Sequence, residues 1–461
     1  MSREQKKRSI DMLNGPLTGK IVAFAIPLAL SSALQQLLSS CDASIAGHFV
    51  SSQSLAGIGA TVPITSTFVN FFVGISIGSN VAMAIRIGRH EEDRVSDVLH
   101  TSIALALVLG IGLMALGLAL SEWLVDVVGM PQDARADALV YLKIYFIALP
   151  FLTIYNFGSA LMRARGDSRR PLYALAVAVA INFALDLAFT TVIPWETTGI
   201  ALATVISFAA SAAIIVRWLM RDEGPYRLYL RKLRFVRISL RLILHIGIPA
   251  GLQGAIFSLS NTIIQAAIDG FGSAAMAGSA ATMNLEYYTY FFVNAFGQTA
   301  VTFVGQNYAA GQHGRCIKIA RWCLLFGATS ALAVSLIFVG LGTTALGIFT
   351  TDPAALEYGL IRLWIVELLE IFTSLYEVPA GVMRGMGVST LPAVITIIGS
   401  VVLRIIYVFA IFPHFGTFPA LLAIYPVTWW IMDIAMLVAY FVIRRRKLLP
   451  KASQTTERMS A

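Results

Sequence analysis

Charge is scarce in this chain. Only 13% of its 461 residues are Asp, Glu, Lys or Arg, while 57% are hydrophobic. A soluble domain carries roughly 25% charged residues, so this composition is that of a membrane protein. Cysteine is scarcer still, with three in the chain. Cys316 and Cys323 stand seven apart on one expected helix, about 10 Å along its axis and too far for a disulfide. Cys41 stands alone, so neither a disulfide framework nor a thiolate metal site follows. The six histidines (His48, His90, His100, His245, His313, His414) have no HxxxH or CxxC neighbour and read as interfacial or loop residues. A GxxxxGK[ST] phosphate loop is missing, which removes ATP as the driving force. Residues 2–20 are polar and basic, without a short apolar core and a small-residue cleavage site, so no secretory signal is expected.

What the chain has instead is long apolar runs. A bilayer-spanning helix needs about 20 mostly apolar residues. Runs between polar punctuation predict spans at 17–49, 54–83, 95–121, 138–161, 171–193 and 197–220. The second half adds 239–269, 274–304, 318–349, 356–382, 392–412 and 418–443. The expected fold class is therefore an all-α integral membrane protein of twelve transmembrane helices.

The connections alternate in charge. One set carries Lys6, Lys7 and Arg8, then Arg86, Arg89 and Arg94, then Arg163, Arg165, Arg169 and Arg170. It continues through the stretch from Arg217 to Arg241, then Arg315, Lys318 and Arg321, then Arg384, and ends at Arg444–Lys447. The other set holds Glu122, Asp126, Asp133, Asp137, Glu196, Asp269, Asp352 and Glu357, with Arg135 almost its only base. Lys143 and Arg362 fall just inside helices on that acidic side. Basic loops stay cytoplasmic, so both termini are expected inside and the helix count is even. The net charge of +9 thereby becomes a matter of topology, and nucleic acid is not an expected partner.

The sequence also repeats itself. Met162-Arg163-x-x-Gly166-x-Ser168-x-x-Pro171 returns as Met383-Arg384-x-x-Gly387-x-Ser389-x-x-Pro392, a shift of 221. Ala56-Gly57 and Thr61 return as Ala277-Gly278 and Thr282 at the same shift. Pro27 matches Pro249 and Pro131 matches Pro353 at 222. One near-constant offset over four regions means a duplication. A six-helix half begins and ends on the same side, so its copy enters in the same orientation. Two six-helix bundles related by a pseudo-twofold axis along the membrane normal follow, with a central cavity and rocking of the two lobes. The expected parts are a cytoplasmic tail at 1–16, an N-lobe at 17–220 and a linker at 221–238. A C-lobe at 239–443 and a second cytoplasmic tail at 444–461 complete them.

Charges at bilayer depth are costly and mark function by default. Asp42 and Asp186 each lie seven residues before the outer end of a helix, and Thr204 lies seven residues into the next. At 1.5 Å per residue all three sit at one level, roughly 10 Å below the outer face. Asn182 shares a face with Asp186, one turn deeper. Two carboxylates at one depth resist double ionisation and take up a proton. Equally, the carboxylates with the Asn182 and Thr204 oxygens make a ligand set for a hard cation such as sodium. The same shift places Ile264, Leu403, Tyr407 and Tyr425 opposite Asp42, Asn182, Asp186 and Thr204. The duplicate therefore lacks this set. Its own midplane candidates are Glu286, Glu367, Glu370 and Arg404, with Arg404 expected to neutralise one acid. Glu286 opens an aromatic run (Tyr287, Tyr288, Tyr290, Phe291, Phe292) suited to an organic cation by charge and cation–π contact. Glu377 and Asp433 are further buried acids.

The residues resemble a known family, the multidrug and toxic compound extrusion (MATE) transporters. The resemblance spans nearly the whole chain. It rests on the 6+6 plan, the first-helix pattern from Gln35 through Asp42 to Gly47, and the loop from Leu161 to Pro171 with its echo near Arg384. The segment from Val304 to Gly311 resembles the family motif after the eighth helix. The resemblance implies export of amphipathic, often cationic compounds in exchange for H⁺ or Na⁺. One branch places an Asp on the first helix and Asn-x-x-x-Asp on the fifth, which Asp42 and Asn182–Asp186 match. Others use an acid on the tenth helix, where Glu370 is the candidate. The expected protein is no enzyme and needs no cofactor, and no metal beyond sodium at Asp42, Asn182, Asp186 and Thr204. Its expected partners are amphipathic small molecules and the bilayer of a bacterial inner membrane, in which it works as a monomer. A lipid-linked saccharide flippase of related architecture is the alternative. It calls for a basic cavity, whereas this midplane is acidic.

Overall fold

A chain inside lipid must satisfy its backbone polar groups within each segment, so the apolar runs fold as helices. The computed structural model describes residues 9–128, 132, 134–193 and 195–449, apart from the side chains at 43, 47, 48, 52, 53, 55 and 56. Lys6, Lys7, Arg8, Pro131, Asp133, the side chains of His48 and Ala56, and the tail beyond 449 lie outside the described residues. No strand occurs among those described. The first half runs Thr18–Ile45, Ser52–Gly88, Glu92–Val127, Arg135–Ala164, Arg169–Leu187 and Glu196–Arg221. The first and fifth of these each end in a five-residue π turn, Ala46–Val50 and Ala188–Val192.

The second half runs Arg237–Asp269, Ser273–Ala309 and His313–Leu341, then breaks its regularity. Its tenth segment is Pro353–Arg362, a π turn at Leu363–Glu367, a 3₁₀ turn at Glu370–Phe372, and Thr373–Gly385. The eleventh alternates α and π turns between Thr390 and Ile411, and the twelfth is Phe418–Leu422 followed by Ile424–Lys447. Ten helices among the described residues are long and apolar enough to cross a membrane. The eighth and tenth expected spans are the exceptions. The eighth is 37 residues long but carries Asn284, Glu286, Asn294 and Gln298. The tenth is interrupted at its acidic residues.

The chain forms two compact units. Among the described residues, one comprises 9–10 and 27–259, the other 11–26 and 260–449. The units therefore do not break where the duplication does. The first helix divides at Pro27 and the seventh after Leu259.

The repeat is visible in local geometry. Gly166 and Gly387 both take positive φ, at 99° and 80°. Each closes its helix with the same bonds. Gly166 N–H donates to Arg163 O at 2.9 Å and Asp167 N–H to Met162 O at 3.1 Å. Gly387 N–H donates to Arg384 O and Val388 N–H to Met383 O, both at 2.9 Å. A left-handed residue ending a helix is where glycine is favoured. Packing repeats too. A Cβ on Gly57 would meet Ala134 and Ala138, and one on Gly278 would meet Ala355 and Gly359. Those are the same partners shifted by 221.

In the first unit, small residues let the second and seventh helices approach closely. A Cβ on Gly74 would lie 2.4 Å from Gly251, and one on Gly78 would lie 2.1 Å from Ile243 O. Such contacts hold membrane helices together by close packing. Gly78→Ala is expected to sharply reduce the monodisperse fraction on size-exclusion chromatography. Gly59→Ala meets nothing within 4 Å and is expected to leave it unchanged.

Candidate functional site

The four residues expected at one depth of the first half meet in a single buried cluster. Asp42, Asn182, Asp186 and Thr204 are each no more than 1% exposed. The first, fifth and sixth helices supply them. Thr204 Oγ1 donates to Asp42 Oδ2 at 2.8 Å. The Asn182 amide nitrogen faces both acids and donates to Asp42 Oδ1 at 3.2 Å and to Asp186 Oδ2 at 3.3 Å. The two carboxyl groups are thus brought side by side by one amide. Asp186 Oδ1 has no hydrogen-bond partner among the described residues. No Lys or Arg forms an ion pair with either acid among those residues. Two buried carboxylates in contact cannot both be charged without a cation between them. The arrangement is chemically able to hold a proton, or a small cation bound by oxygen.

Sequence reasoning missed one member. Tyr141 on the fourth helix donates its hydroxyl to Asp42 Oδ2 at 3.3 Å and is buried. It stacks on Tyr145, ring centroids 6.0 Å apart. The available signal was the spacing Tyr141-x-x-x-Tyr145, which puts both rings on one helix face. Each acidic helix opens into a π turn a few residues past its Asp. Single π turns widen a helix and recur at functional sites. In the second of them, Thr190 Oγ1 donates to Asp186 O at 2.6 Å.

The second unit organises its candidates differently from expectation. Glu286 pairs with Arg362, not with Arg404. Arg362 Nε and Nη2 bind the two Glu286 oxygens at 2.7 and 2.8 Å. Arg362 is 1% exposed. Arg362 lay nine residues after the start of its helix at Pro353, deep enough to reach an acid on the eighth helix. Arg404 instead donates to Asn261 Oδ1 at 3.0 Å and lies over the Tyr425 ring at 4.8 Å. The expectation that Glu286 offers free charge to an organic cation is corrected by this, since its carboxylate is taken up by the guanidinium. Tyr287 and Tyr288 both contact Phe291, and Tyr287 remains partly exposed at 38%.

Glu367 and Glu370 form a second carboxyl pair at the break in the tenth segment. Thr289 Oγ1 donates to Glu367 Oε1 at 2.6 Å, and Glu370 lies close by. Glu377 lies 3.6 Å from Arg384, and neither oxygen of buried Asp433 has a partner among the described residues. No cluster of three His, Cys, Asp or Glu able to hold a metal occurs among the described residues.

A duplicated bundle of membrane-spanning helices with buried carboxyl pairs defines a class, that of polytopic transporters. Comparison places it further. The MatE family profile matches residues 27–188 and 249–410, two stretches again 222 apart. The chain belongs to the MatE family, the MATE transporters, which are not enzymes. It is 25% identical over 384 residues to a probable multidrug resistance protein of Bacillus subtilis, covering 81% of this chain and 82% of that one. It is 26% identical over 319 residues to an FAD transporter of Shewanella oneidensis, covering 66% and 69%. Among solved structures, a MOP superfamily transporter from Pyrococcus furiosus superposes with a TM-score of 0.86. That likeness covers 94% of this chain and 97% of that one at 20% identity, and is one of fold.

Proposed function

We propose that the protein exports small amphipathic, often cationic organic compounds in exchange for inward H⁺ or Na⁺, by alternating access of its two lobes. In this reading it sits in the bacterial inner membrane with both termini cytoplasmic and works as a monomer. The observation that carries the coupling is the Asp42–Asp186 pair, bridged by the Asn182 amide and with no basic partner among the described residues. Taking up or releasing one cation there changes the charge of a buried cluster by one unit. In low dielectric such a change biases one conformation of the helices that carry it. Asn182, Thr204 and Tyr141 hold the carboxylates in register for that event. The relatives named for multidrug resistance support an organic substrate. The flippase alternative requires fixed positive charge for a pyrophosphate, and the first-unit cluster offers carboxylates.

Transport in proteoliposomes with separately imposed pH and sodium gradients tests the proposal. Efflux of an amphipathic cationic dye is expected to follow one gradient and to stop when an ionophore collapses it. Efflux indifferent to both gradients would overturn the exchange mechanism.

A further inference from the structure

The long basic connection between Arg221 and Arg237 is fixed in place. Asp222 pairs with Arg165 and Arg170 from the same unit. Leu228 is buried and its N–H donates to Leu219 O at 2.9 Å. Tyr229 N–H donates to His100 Nε2 at 3.1 Å, and its ring stacks on that imidazole. Arg234 pairs with Asp97 at 2.8 Å, and its carbonyl accepts from Thr101 Oγ1. Val236 N–H donates back to Thr101. All these anchors on the third helix lie between Asp97 and Thr101. The uninterrupted apolar run of that helix begins at Ile103 and continues to Leu120. The connection is therefore held at the level where water gives way to hydrocarbon.

Its outward side chains suit that level. Leu230, Phe235 and Ile238 are 51%, 49% and 64% exposed. Three apolar side chains on a hydrated surface are costly, but at a lipid boundary they insert. Interleaved with them are Arg227, Arg231, Lys232, Arg237 and Arg241, all exposed and without an ion-pair partner among the described residues. Glu92, Asp93 and Asp97 line a cleft of about 660 Å³ facing Arg231, Lys232 and Arg234, and Glu223 is exposed nearby. Bases still exceed acids. Arg227 and Lys232 flank the Tyr229 ring at 5.0 and 4.8 Å, which holds both cations beside it.

We propose that this connection is an interfacial anchor that binds the anionic phospholipid surface of the leaflet it lies on. Phosphate groups meet Arg231, Lys232 and Arg237, while Phe235 and Ile238 enter the acyl boundary. Basic side chains beside a membrane helix attract anionic lipid in this way, and salt screens the attraction.

The full chain is reconstituted in phosphatidylcholine with trace spin-labelled phosphatidylglycerol or phosphatidylcholine of the same acyl chains. Phosphatidylglycerol is expected in the motionally restricted fraction with a preference of about twofold or more. The triple substitution R231Q/K232Q/R237Q is expected to remove most of that preference. R444Q/R445Q/R446Q loses the same charge at another basic segment and is expected to retain it. A probe at Ile238→Cys in a Cys41→Ser background reads the same surface without removing a charge, because Cys316 and Cys323 are buried. Its emission is expected to be quenched more by doxyl-phosphatidylglycerol than by doxyl-phosphatidylcholine, and equally by both in high salt. Equal association of the two lipids with the wild type, equal loss in both triple variants, or equal quenching at low salt would overturn the proposal.

Discussion

Asp42→Asn is expected to abolish gradient-driven dye efflux, with a loss of about tenfold or more in initial rate, while downhill counterflow of substrate continues. A tenfold change corresponds to about 1.4 kcal/mol, a small share of what a buried charge costs. The amide keeps the size of the carboxyl, so Thr204 and Tyr141 retain a neighbour. Thr204 Oγ1 already has an alternative acceptor in Ile200 O at 3.2 Å. The cluster therefore packs without Asp42's charge, and what is lost is the capacity to take up a cation. Asp186→Asn is expected to behave the same way, because one carboxyl alone no longer shares a proton. The split between uphill and downhill transport is the decisive readout. A general folding defect lowers both, and a bystander carboxylate lowers neither.

That cluster was legible because membrane helices act as rulers. With loop charges fixing where each helix begins, a count of residues gives depth. Asp42, Asp186 and Thr204 came to one level from three separate helices. Tyr141 escaped the count because tyrosine near a helix end ordinarily marks the membrane interface, and nothing local separates that role from a hydrogen bond to Asp42. The break in the tenth segment was equally hidden. Glu367, Glu370 and their neighbours have ordinary helix propensity, and the π and 3₁₀ turns coincide with tertiary bonds such as Thr289 to Glu367. Residue counting places Arg404 near midplane and Arg362 just inside a helix at the acidic end, so Arg404 is the base it offers the acids. The chain places Arg362 with Glu286.

The duplication ties these results together. A shift of 221 carries Tyr141 onto Arg362 and Thr204 onto Tyr425, while 222 carries Asp42 onto Ile264. Tyr425 lies beneath both Arg362 and Arg404, at 5.3 and 4.8 Å from their guanidinium carbons. Both units thus keep a buried polar cluster at the same place in the fold, built from different groups. The first cluster holds two acids with no Lys or Arg paired to them among the described residues. The second holds two guanidinium groups about one ring, with Glu286 as a carboxylate partner. Divergence after duplication left a carboxyl pair in the first unit and guanidinium groups about a tyrosine in the second.

A purely structural role for the second cluster is tested by a pair of substitutions. Arg362→Met leaves Glu286, a largely buried acid, as an uncompensated carboxylate. Breaking a buried ion pair from one side costs about 3–5 kcal/mol. The single variant is expected to unfold at markedly lower denaturant or temperature in detergent. The double variant Glu286→Leu with Arg362→Met removes both charges together. Apolar replacement of a whole buried pair is often neutral, so most of the lost stability is expected to return. The cycle of wild type, two singles and the double measures the coupling directly. Gradient-driven efflux decides the role. If the pair only holds the second unit together, the double variant transports with its dependence on the ion gradient intact. Asp42→Asn loses that dependence whether or not its stability changes. A double variant that is well folded yet uncoupled would move part of the coupling into the second unit, most directly to Glu367 and Glu370, whose carboxyl pair stands beside Arg362 in the tenth segment.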